Sequence, residues 1–165
     1  MGFIFMSTLN QKVKLQRYQP EFLQILKGFD LPEEKAQYTA FPSDVLEKLT
    51  DGQFPIVILN NDEPVGFFLL HSTDRVKEYT NNVNALLLTA LSIDNFQQGK
   101  GFAKQGMSLL KDFVNREFSE YDEIVLAVNH KNVPAQRLYE KVGFSDTGRR
   151  KMGRKGEQLV FSTSV

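Results

Sequence analysis

The chain has 165 residues, of which 41% are hydrophobic and 24% charged, a balance typical of a folded protein rather than a disordered one. This length corresponds to one domain, which we expect to span residues 1–165. Twenty basic side chains balance twenty acidic ones, and the zero formal net charge argues against broad nucleic-acid binding. The absence of cysteine excludes disulfides, thiolate nucleophiles and cysteine-ligated zinc.

Metal and membrane partners are also not expected. The two histidines, His71 and His130, lack the spacing of a metal site. No apolar stretch approaches the ~20 residues of a membrane-spanning helix, and the apolar start is too short for a signal peptide. We therefore expect a cytoplasmic protein in which residues 1–10 are a frayed lead-in, with Met6 as an alternative start.

Strands recur along the whole chain. Apolar runs and alternating polarity predict strands at 12–18, 54–59, 64–70, 85–93 and 123–128, and two more from 144 onward and at 158–162. Turn residues at 60–63 join the second and third strands into an antiparallel hairpin. The continuous apolar run at 85–93 is typical of a central strand that is covered on both faces.

Helical patterns fill the first long gap between strands. Pro20 begins a short apolar helix that ends at Gly28. Residues 31–49 predict one or two helices that are broken at Pro42, and Ser43 is the expected cap of the second.

Two further helices follow the central strands. The first begins after Gly101, because its apolar side chains fall on one stripe: Ala103, Met107, Leu110, Val114 and Phe118. The second occupies residues 132–142, with Asn132 as its cap and Gly143 at its end. The resulting order, β-α-α-β-β-β-α-β-α-β-β, predicts a mixed α/β fold.

The loop after the 85–93 strand is the most informative segment. Glycines at positions 99 and 101 let backbone N–H groups approach an anion, and the helix N-terminus adds partial positive charge. The loop therefore predicts a phosphate site, with a plain strand-to-helix turn as the structural alternative. Its spacing lacks the Walker pattern G-x-x-x-x-G-K-[ST], and Lys104 breaks the dinucleotide pattern G-x-G-x-x-G/A.

Two other patterns do match. Residues 98–103, Gln-Gly-Lys-Gly-Phe-Ala, fit Q/R-x-x-G-x-G/A, and residues 132–144 fit N-x-x-A-x-x-L-Y-x-K-x-G-F. In this order and spacing the chain resembles the GNAT superfamily of N-acetyltransferases. The resemblance is strong over residues 54–163 and rests on element order alone in the first third.

The resemblance implies a fold and a co-substrate site. The fold is a central mixed β-sheet, flanked by helices, in which the parallel strands 85–93 and 123–128 splay apart around acetyl-CoA. Backbone groups on the first strand would pair with the pantetheine arm, and loop amides would hold the pyrophosphate. The implied acetyl-CoA contacts are Leu91, Ser92, Ile93, Gln98, Gly99, Lys100, Gly101, Phe102, Ala103 and Asn132.

The resemblance also implies direct acyl transfer without a metal. A neutral primary amine attacks the thioester, and Tyr139 donates a proton to the departing thiolate, which suits its ordinary pKa of ~10. A core tyrosine is the structural alternative. Asp94 is one candidate for the base that deprotonates the amine, Glu78 and Tyr38 are weaker ones, and a chain of waters is the alternative.

The predicted function is acetyl-CoA-dependent N-acetylation of a small-molecule amine: a polyamine, an amino acid derivative or an amino sugar. Protein N-terminal or lysine acetylation and a non-catalytic acyl-CoA sensor remain alternatives. Acceptor specificity is expected from residues 20–50 and 72–83, and a homodimer is compatible with the resemblance. The basic cluster at 149–155 either attracts an anionic group or is a solvated hairpin.

Overall fold

Seven strands form one mixed sheet in the computed structural model, which describes residues 12–165. The strands are β1 (Val13–Arg17), β2 (Gln53–Asn60), β3 (Glu63–His71), β4 (Ala85–Ile93), β5 (Glu123–Asn129), β6 (Ser145–Gly153) and β7 (Gly156–Ser164). Their order across the sheet is β1-β2-β3-β4-β5-β7-β6, and within this described part β4 and β5 are the one parallel pair. The predicted mixed α/β fold is confirmed, whereas the predicted lead-in lies outside the described residues.

Short helices connect the strands. The α-helices are α1 (Leu23–Lys27), α2 (Glu33–Ala36), α3 (Pro42–Glu47), α4 (Phe102–Ser108), α5 (Leu110–Glu117) and α6 (Val133–Lys141). Short 3-10 helices occupy Pro20–Phe22, Asp74–Glu78 and Asn95–Gln97. No helix between residues 12 and 165 is both long and apolar enough to cross a membrane.

Two details of the predicted helices are wrong. Helix α3 begins at Pro42, before the predicted cap Ser43, because proline suits the first helical turn and Phe41 takes the extended N-cap conformation. The helix predicted after Gly101 divides at Leu109, whose N–H bonds to the carbonyl of Gly106, three residues back, at 3.1 Å.

The two faces of the sheet carry separate groups of helices. Leu86 and Leu88 of β4 point to the face covered by α4, α5 and α6, here called the α4–α6 face. Leu87, between them, points to the other face, where it packs with the 3-10 helix Asp74–Glu78. Helices α1 and α3 cover that same face beside β2 and β3, and it is called the α1–α3 face.

Helix α4 packs very close to the sheet at Ile58. An added Cβ at Gly106 of α4 would lie 2.8 Å from Cδ1 of Ile58, and one at Gly66 of β3 would lie 2.9 Å from the same atom. The Ile58 side chain is fully buried and fills the space between these two glycines. The position of α4, which follows the glycine loop, therefore depends on this close contact.

We expect Gly106→Ala to destabilise the protein. Alanine in a helix interior is ordinarily about 1 kcal/mol better than glycine, but here its methyl group would overlap Ile58. Overpacking of this kind should lower the free energy of unfolding in urea by about 1–3 kcal/mol. In a double variant with Ile58→Val, which removes Cδ1, the loss should be smaller than the sum of the two single losses. A stabilising Gly106→Ala would contradict this packing.

Candidate active site

The two parallel strands separate after a short stretch of pairing. Pairs between β4 and β5 run from Ala85–Glu123 to Leu88–Leu126. Beyond that point β4 stays paired with β3 as far as Ile93, and β5 stays paired with β7 as far as Asn129. Each strand therefore keeps one neighbour while the facing edges diverge, as the predicted splay requires.

A β-bulge in β4 accounts for this divergence. Thr89 pairs with Leu69 and Ser92 pairs with Phe67, so Ala90 and the residue after it occupy the space of one. Ala90 has a φ of 59°, which is unusual for a residue other than glycine. Because bulges bend a strand and increase its twist, β4 turns away from β5 at this point. The run ALLLTALSI contains no glycine and does not predict the bulge.

A cleft of about 970 Å³ lies between the diverging strands. Its walls include residues 88–93 of β4 and residues 126–129 of β5. On the α4–α6 face it is lined by Ala103, Asn132, Ala135, Leu138 and Tyr139. On the α1–α3 face it is lined by residues from α2 and the following loop, by Arg75 and Tyr79, and by residues 151–155. The cleft therefore passes through the sheet.

Most of the predicted site residues line this cleft. Those in its wall are Leu91, Ser92, Ile93, Gln98, Ala103, Asn132 and Tyr139. The other four belong to the adjoining loop and the start of α4: Gly99, Lys100, Gly101 and Phe102. The side chain of Phe102 packs in the core and is 2% exposed, so its backbone alone is available to a ligand.

The glycine loop presents backbone N–H groups. Gly99 and Gly101 have φ values of 77° and 81°, and a Cβ added at Gly99 would meet nothing within 4 Å. Among the hydrogen bonds of residues 12–165, none uses the N–H of Gly99, Lys100 or Gly101. Helix α4 also begins without a side-chain cap. These donors suit an anion with several acceptor oxygens.

Gln98 fixes the loop to the end of β4. Its Nε2 donates to the carbonyl of Ile93 at 2.8 Å, and its Oε1 accepts from Nζ of Lys35 at 2.9 Å. Its backbone N–H already donates to the carbonyl of Asn95 at 3.2 Å, so this amide is engaged within the loop.

Tyr139 and Asn132 come from α6. Tyr139 is 7% exposed, and its ring packs against Phe144 at 5.5 Å between centroids. Burial raises the pKa of the Tyr139 hydroxyl above its usual value, so the group stays protonated at neutral pH. Asn132 caps the helix as predicted, since its Oδ1 accepts from the N–H of Ala135 at 3.3 Å.

Two of the candidate bases do not reach the cleft. Oδ1 of Asp94 accepts from the N–H of Asp30 at 3.0 Å. Oε1 of Glu78 accepts from Nζ of Lys151 at 2.7 Å. Neither residue is among those that line the cleft, whereas Tyr38 does line it, and the identity of the base stays a prediction.

A second cavity of about 400 Å³, here called the side pocket, adjoins the cleft on the α1–α3 face. The two cavities share lining residues Gln37, Tyr38, Thr39, Arg75, Thr89 and Ala90. The side pocket is further lined by Ala40, Val45, Lys48, Gln53, Leu69 and His71. It therefore reaches the bulge from the side opposite the glycine loop.

His71 is the residue that sequence reasoning missed. It is 1% exposed, and its Nε2 lies 2.6 Å from Oγ1 of Thr89. Burial, and after it the positive charge of Arg75, lower the pKa of His71 from 6.5 to about 4, so the ring is neutral at pH 7. Its place at the end of the apolar run FFLLH was the available signal of burial.

Several buried polar atoms around both cavities lack a partner. Within residues 12–165, Oγ of Ser92, Oγ1 of Thr39 and Nδ1 of His71 have no hydrogen bond. Because buried polar groups are nearly always satisfied, these atoms point to ligand or water contacts in the cavities. No group of three or more metal-ligating side chains occurs in this part of the chain.

We expect His71 to make stability depend on pH. Between pH 6.5 and 4 the unfolded chain binds a proton at this position and the folded one does not, so stability falls as pH falls through this window. The loss should reach about 3 kcal/mol. Urea unfolding at a series of pH values should give a shallower decline for His71→Gln than for the parent. Equal declines would contradict a buried neutral histidine.

Comparison with known proteins identifies the family. Residues 18–144 match the family described as "Acetyltransferase (GNAT) family". A relative from Bacillus subtilis (strain 168), described as "Uncharacterized N-acetyltransferase YbbJ", is 46% identical over 156 residues, which are 93% of this chain and 98% of that one.

Solved structures share the fold. The aminoglycoside acetyltransferase AAC(6')-Ib, in complex with coenzyme A and kanamycin, matches with a TM-score of 0.75 at 20% identity, over 93% of this chain and 95% of that one. The spermidine N-acetyltransferase from Vibrio cholerae, in complex with CoA and spermine, matches with a TM-score of 0.69 at 19% identity, over 92% and 95%. With the family match over most of the sequence, these findings mean that the chain belongs to the acetyltransferase (GNAT) family and is an N-acetyltransferase.

Proposed function

We propose that the protein transfers the acetyl group of acetyl-CoA to a small primary amine. The observation that carries this proposal is the cleft that passes through the sheet, since it joins the glycine loop on one face to a separate pocket on the other. Two substrates can then meet at the bulge from opposite sides. The structural neighbours named above contain coenzyme A, which supports acetyl-CoA as the donor.

The residues of the α4–α6 side fit this co-substrate. Acetyl-CoA supplies an acetyl group activated as a thioester. The free N–H groups of Gly99, Lys100 and Gly101 bind its pyrophosphate, together with the backbone N–H groups of Phe102 and Ala103, whereas the N–H of Gln98 is engaged with Asn95 and does not take the expected part. The positive φ values of the two glycines keep side chains away from this surface.

The unpaired edge of β4 fits the rest of the same molecule. Leu91 is the second residue of the bulge and Ser92 and Ile93 follow it, where β5 no longer provides hydrogen-bond partners. Their backbone groups bind the amides of the pantetheine arm as a neighbouring strand would. The amide side chain of Asn132, at the start of α6, contributes from the same face.

Tyr139 is the proposed catalytic residue. Its hydroxyl stays protonated because burial raises its pKa, so it donates a hydrogen bond to the sulfur as the bond to the acetyl group breaks. Full proton transfer is uphill, since an ordinary thiol has a pKa of only ~8.5. The hydroxyl therefore stabilises the developing charge on the sulfur.

The acceptor amine approaches from the α1–α3 face. There the cleft is lined by residues 34–39, Arg75 and Tyr79, which lie in the two segments where the sequence predicted acceptor specificity. Residues 151–155 of the β6–β7 hairpin form the opposite wall. Walls on both sides suit a small acceptor better than a protein segment.

A thiol-release assay with acetyl-CoA and a panel of small amines tests the proposal. Release should depend on one class of amine, and Tyr139→Phe should lower turnover by about 10²–10³-fold, the usual cost of one lost donor to a developing charge, while acetyl-CoA affinity stays unchanged. Tyr121→Phe, outside the cleft lining, is the matched control. Unchanged turnover in Tyr139→Phe would remove its catalytic role.

The same assay separates the alternatives. Release only with peptide amines would indicate a protein acceptor. Acetyl-CoA binding without release across both panels would indicate a sensor.

We expect Gly101→Val to weaken acetyl-CoA binding. The φ of 81° is strained for valine, and the loop must shift to relieve that strain. Calorimetry should show affinity at least about tenfold lower, the equivalent of ~1.4 kcal/mol. Gly148→Val is the control, because Gly148 has a similar φ of 85° and open space but belongs to β6 and not to the glycine loop. Equal affinity losses in both variants would count against the glycine loop as the phosphate site.

A further inference from the structure

Charged residues around the two cavities are almost all cationic. Across both linings one is acidic, Glu34, and the basic ones are Lys35, Lys48, Arg75, Lys131, Lys151, Arg154 and Lys155. The chain as a whole has twenty residues of each sign, so this imbalance belongs to the cavities and not to the composition.

The cations divide between the two ends of the cleft. Lys35 bonds to Gln98 and so belongs to the glycine loop. Arg75 and Lys151 lie on the opposite, α1–α3 face. Arg75 is part of the 3-10 helix that packs against Leu87, and Nζ of Lys151 lies 5.2 Å from the ring centroid of Tyr79. These two charges therefore lie at the end of the cleft on the α1–α3 face, where the proposed acceptor amine enters.

One carboxylate, that of Glu78, lies near both of these cations. Glu78 bonds to Lys151, and this contact raises the pKa of Lys151 against the opposing charge of Arg75. Arg75 itself forms no ion pair among residues 12–165. Arg75 is an exposed residue that lines both the cleft and the side pocket.

The side pocket also holds buried hydrogen-bonding groups without partners. Oγ1 of Thr39 and Nδ1 of His71 have none within the described residues, and His71 is 1% exposed. In the tautomer whose Nε2 accepts from Thr89, Nδ1 of His71 carries a hydrogen and is a donor. Lys48 adds a second cation, and no carboxylate from residues 12–165 lines this pocket.

We propose that the side pocket binds a carboxylate or phosphate group carried by the acceptor amine, with Arg75 as its main ligand. An arginine fork matches the paired oxygens of either group, and Thr39 and His71 add neutral donors. This inference rests on the proposed function, because it places the amine at the bulge beside Thr89. The proposed subsite excludes polyamines and other polycations as preferred acceptors. Such ligands would need carboxylates at the α1–α3 end of the cleft, where the protein has cations instead.

Matched pairs of amines test the subsite by calorimetry, with and without CoA at fixed salt. The pairs are O-phosphoethanolamine with ethanolamine and β-alanine with propylamine, and spermidine serves as the polycation. At least one anionic member should bind about tenfold or more tightly than its partner. The pair with the larger preference identifies phosphate or carboxylate as the preferred group.

Variants test whether the preference for anionic amines depends on the side pocket. Arg75→Gln should remove most of the preference without changing CoA affinity, and Lys48→Gln should reduce it. Arg116→Gln, an exposed residue of α5 outside both linings, should leave it unchanged. No preference in the parent, a preference that survives Arg75→Gln, or tightest binding of spermidine would overturn the proposal.

The outcomes for the two proposals are distinguishable. A charge preference without CoA binding or thiol release would leave the subsite standing and remove the proposed reaction. Thiol release with neutral and cationic amines, at equal efficiency and without a charge preference, would leave the reaction standing and remove the subsite.

Discussion

The bulge in β4 is the constraint on which the rest of the site depends. A single additional residue at Ala90 keeps β4 paired with β3 but ends its pairing with β5 after Leu88. Because β5 remains paired with β7, the sheet opens between the two strands instead of at its outer edges. The cleft, its passage from one face to the other, and the location of Tyr139 and Thr89 on different faces all follow from this one departure from regular pairing. The left-handed backbone of Ala90 is strain that the surrounding strands hold in place.

Burial and charge divide the chemistry between the two faces. Burial keeps both Tyr139 and His71 uncharged at neutral pH, so each contributes hydrogen bonding without net charge. The cations lie toward the exposed ends of the cavities, and no carboxylate other than Glu34 lines them in the described chain. A positive environment disfavours an ammonium ion and so favours the neutral amine that attacks the thioester. Under the proposed function, this positive field would take over part of the role of a dedicated base for the acceptor amine.

Sequence reasoning succeeded where the determinants are local. Apolar runs and alternating polarity predicted the strands, of which β6 was located only as a strand from residue 144 onward, and two short patterns located the glycine loop and helix α6, with Asn132 as its cap. Apart from the misplaced cap at Ser43, which Pro42 explains locally, the failures involve residues that meet only in the folded chain. The division of the helix at Leu109 accompanies the contact of Gly106 with Ile58, which is far away in sequence. The bulge is set by pairing with β3, and the side pocket is assembled from residues 37–53, 69–75 and 89–90. No pattern within one segment carries that information.

The diverging strands also give this protein sheet edges in its interior. Unpaired strand edges on a protein surface can template the addition of another chain, and natural sheets usually blunt or cover them. Here the open edges of β4 and β5 face each other across the cleft in the middle of the sheet, with helices and the β6–β7 hairpin beside them. A slender molecule with its own amide groups can enter the cleft and form hydrogen bonds with these edges. At the outer strands β1 and β6, unpaired backbone groups would promote aggregation. At the centre of the sheet, the same kind of groups instead form a binding surface for a molecule narrow enough to enter the cleft.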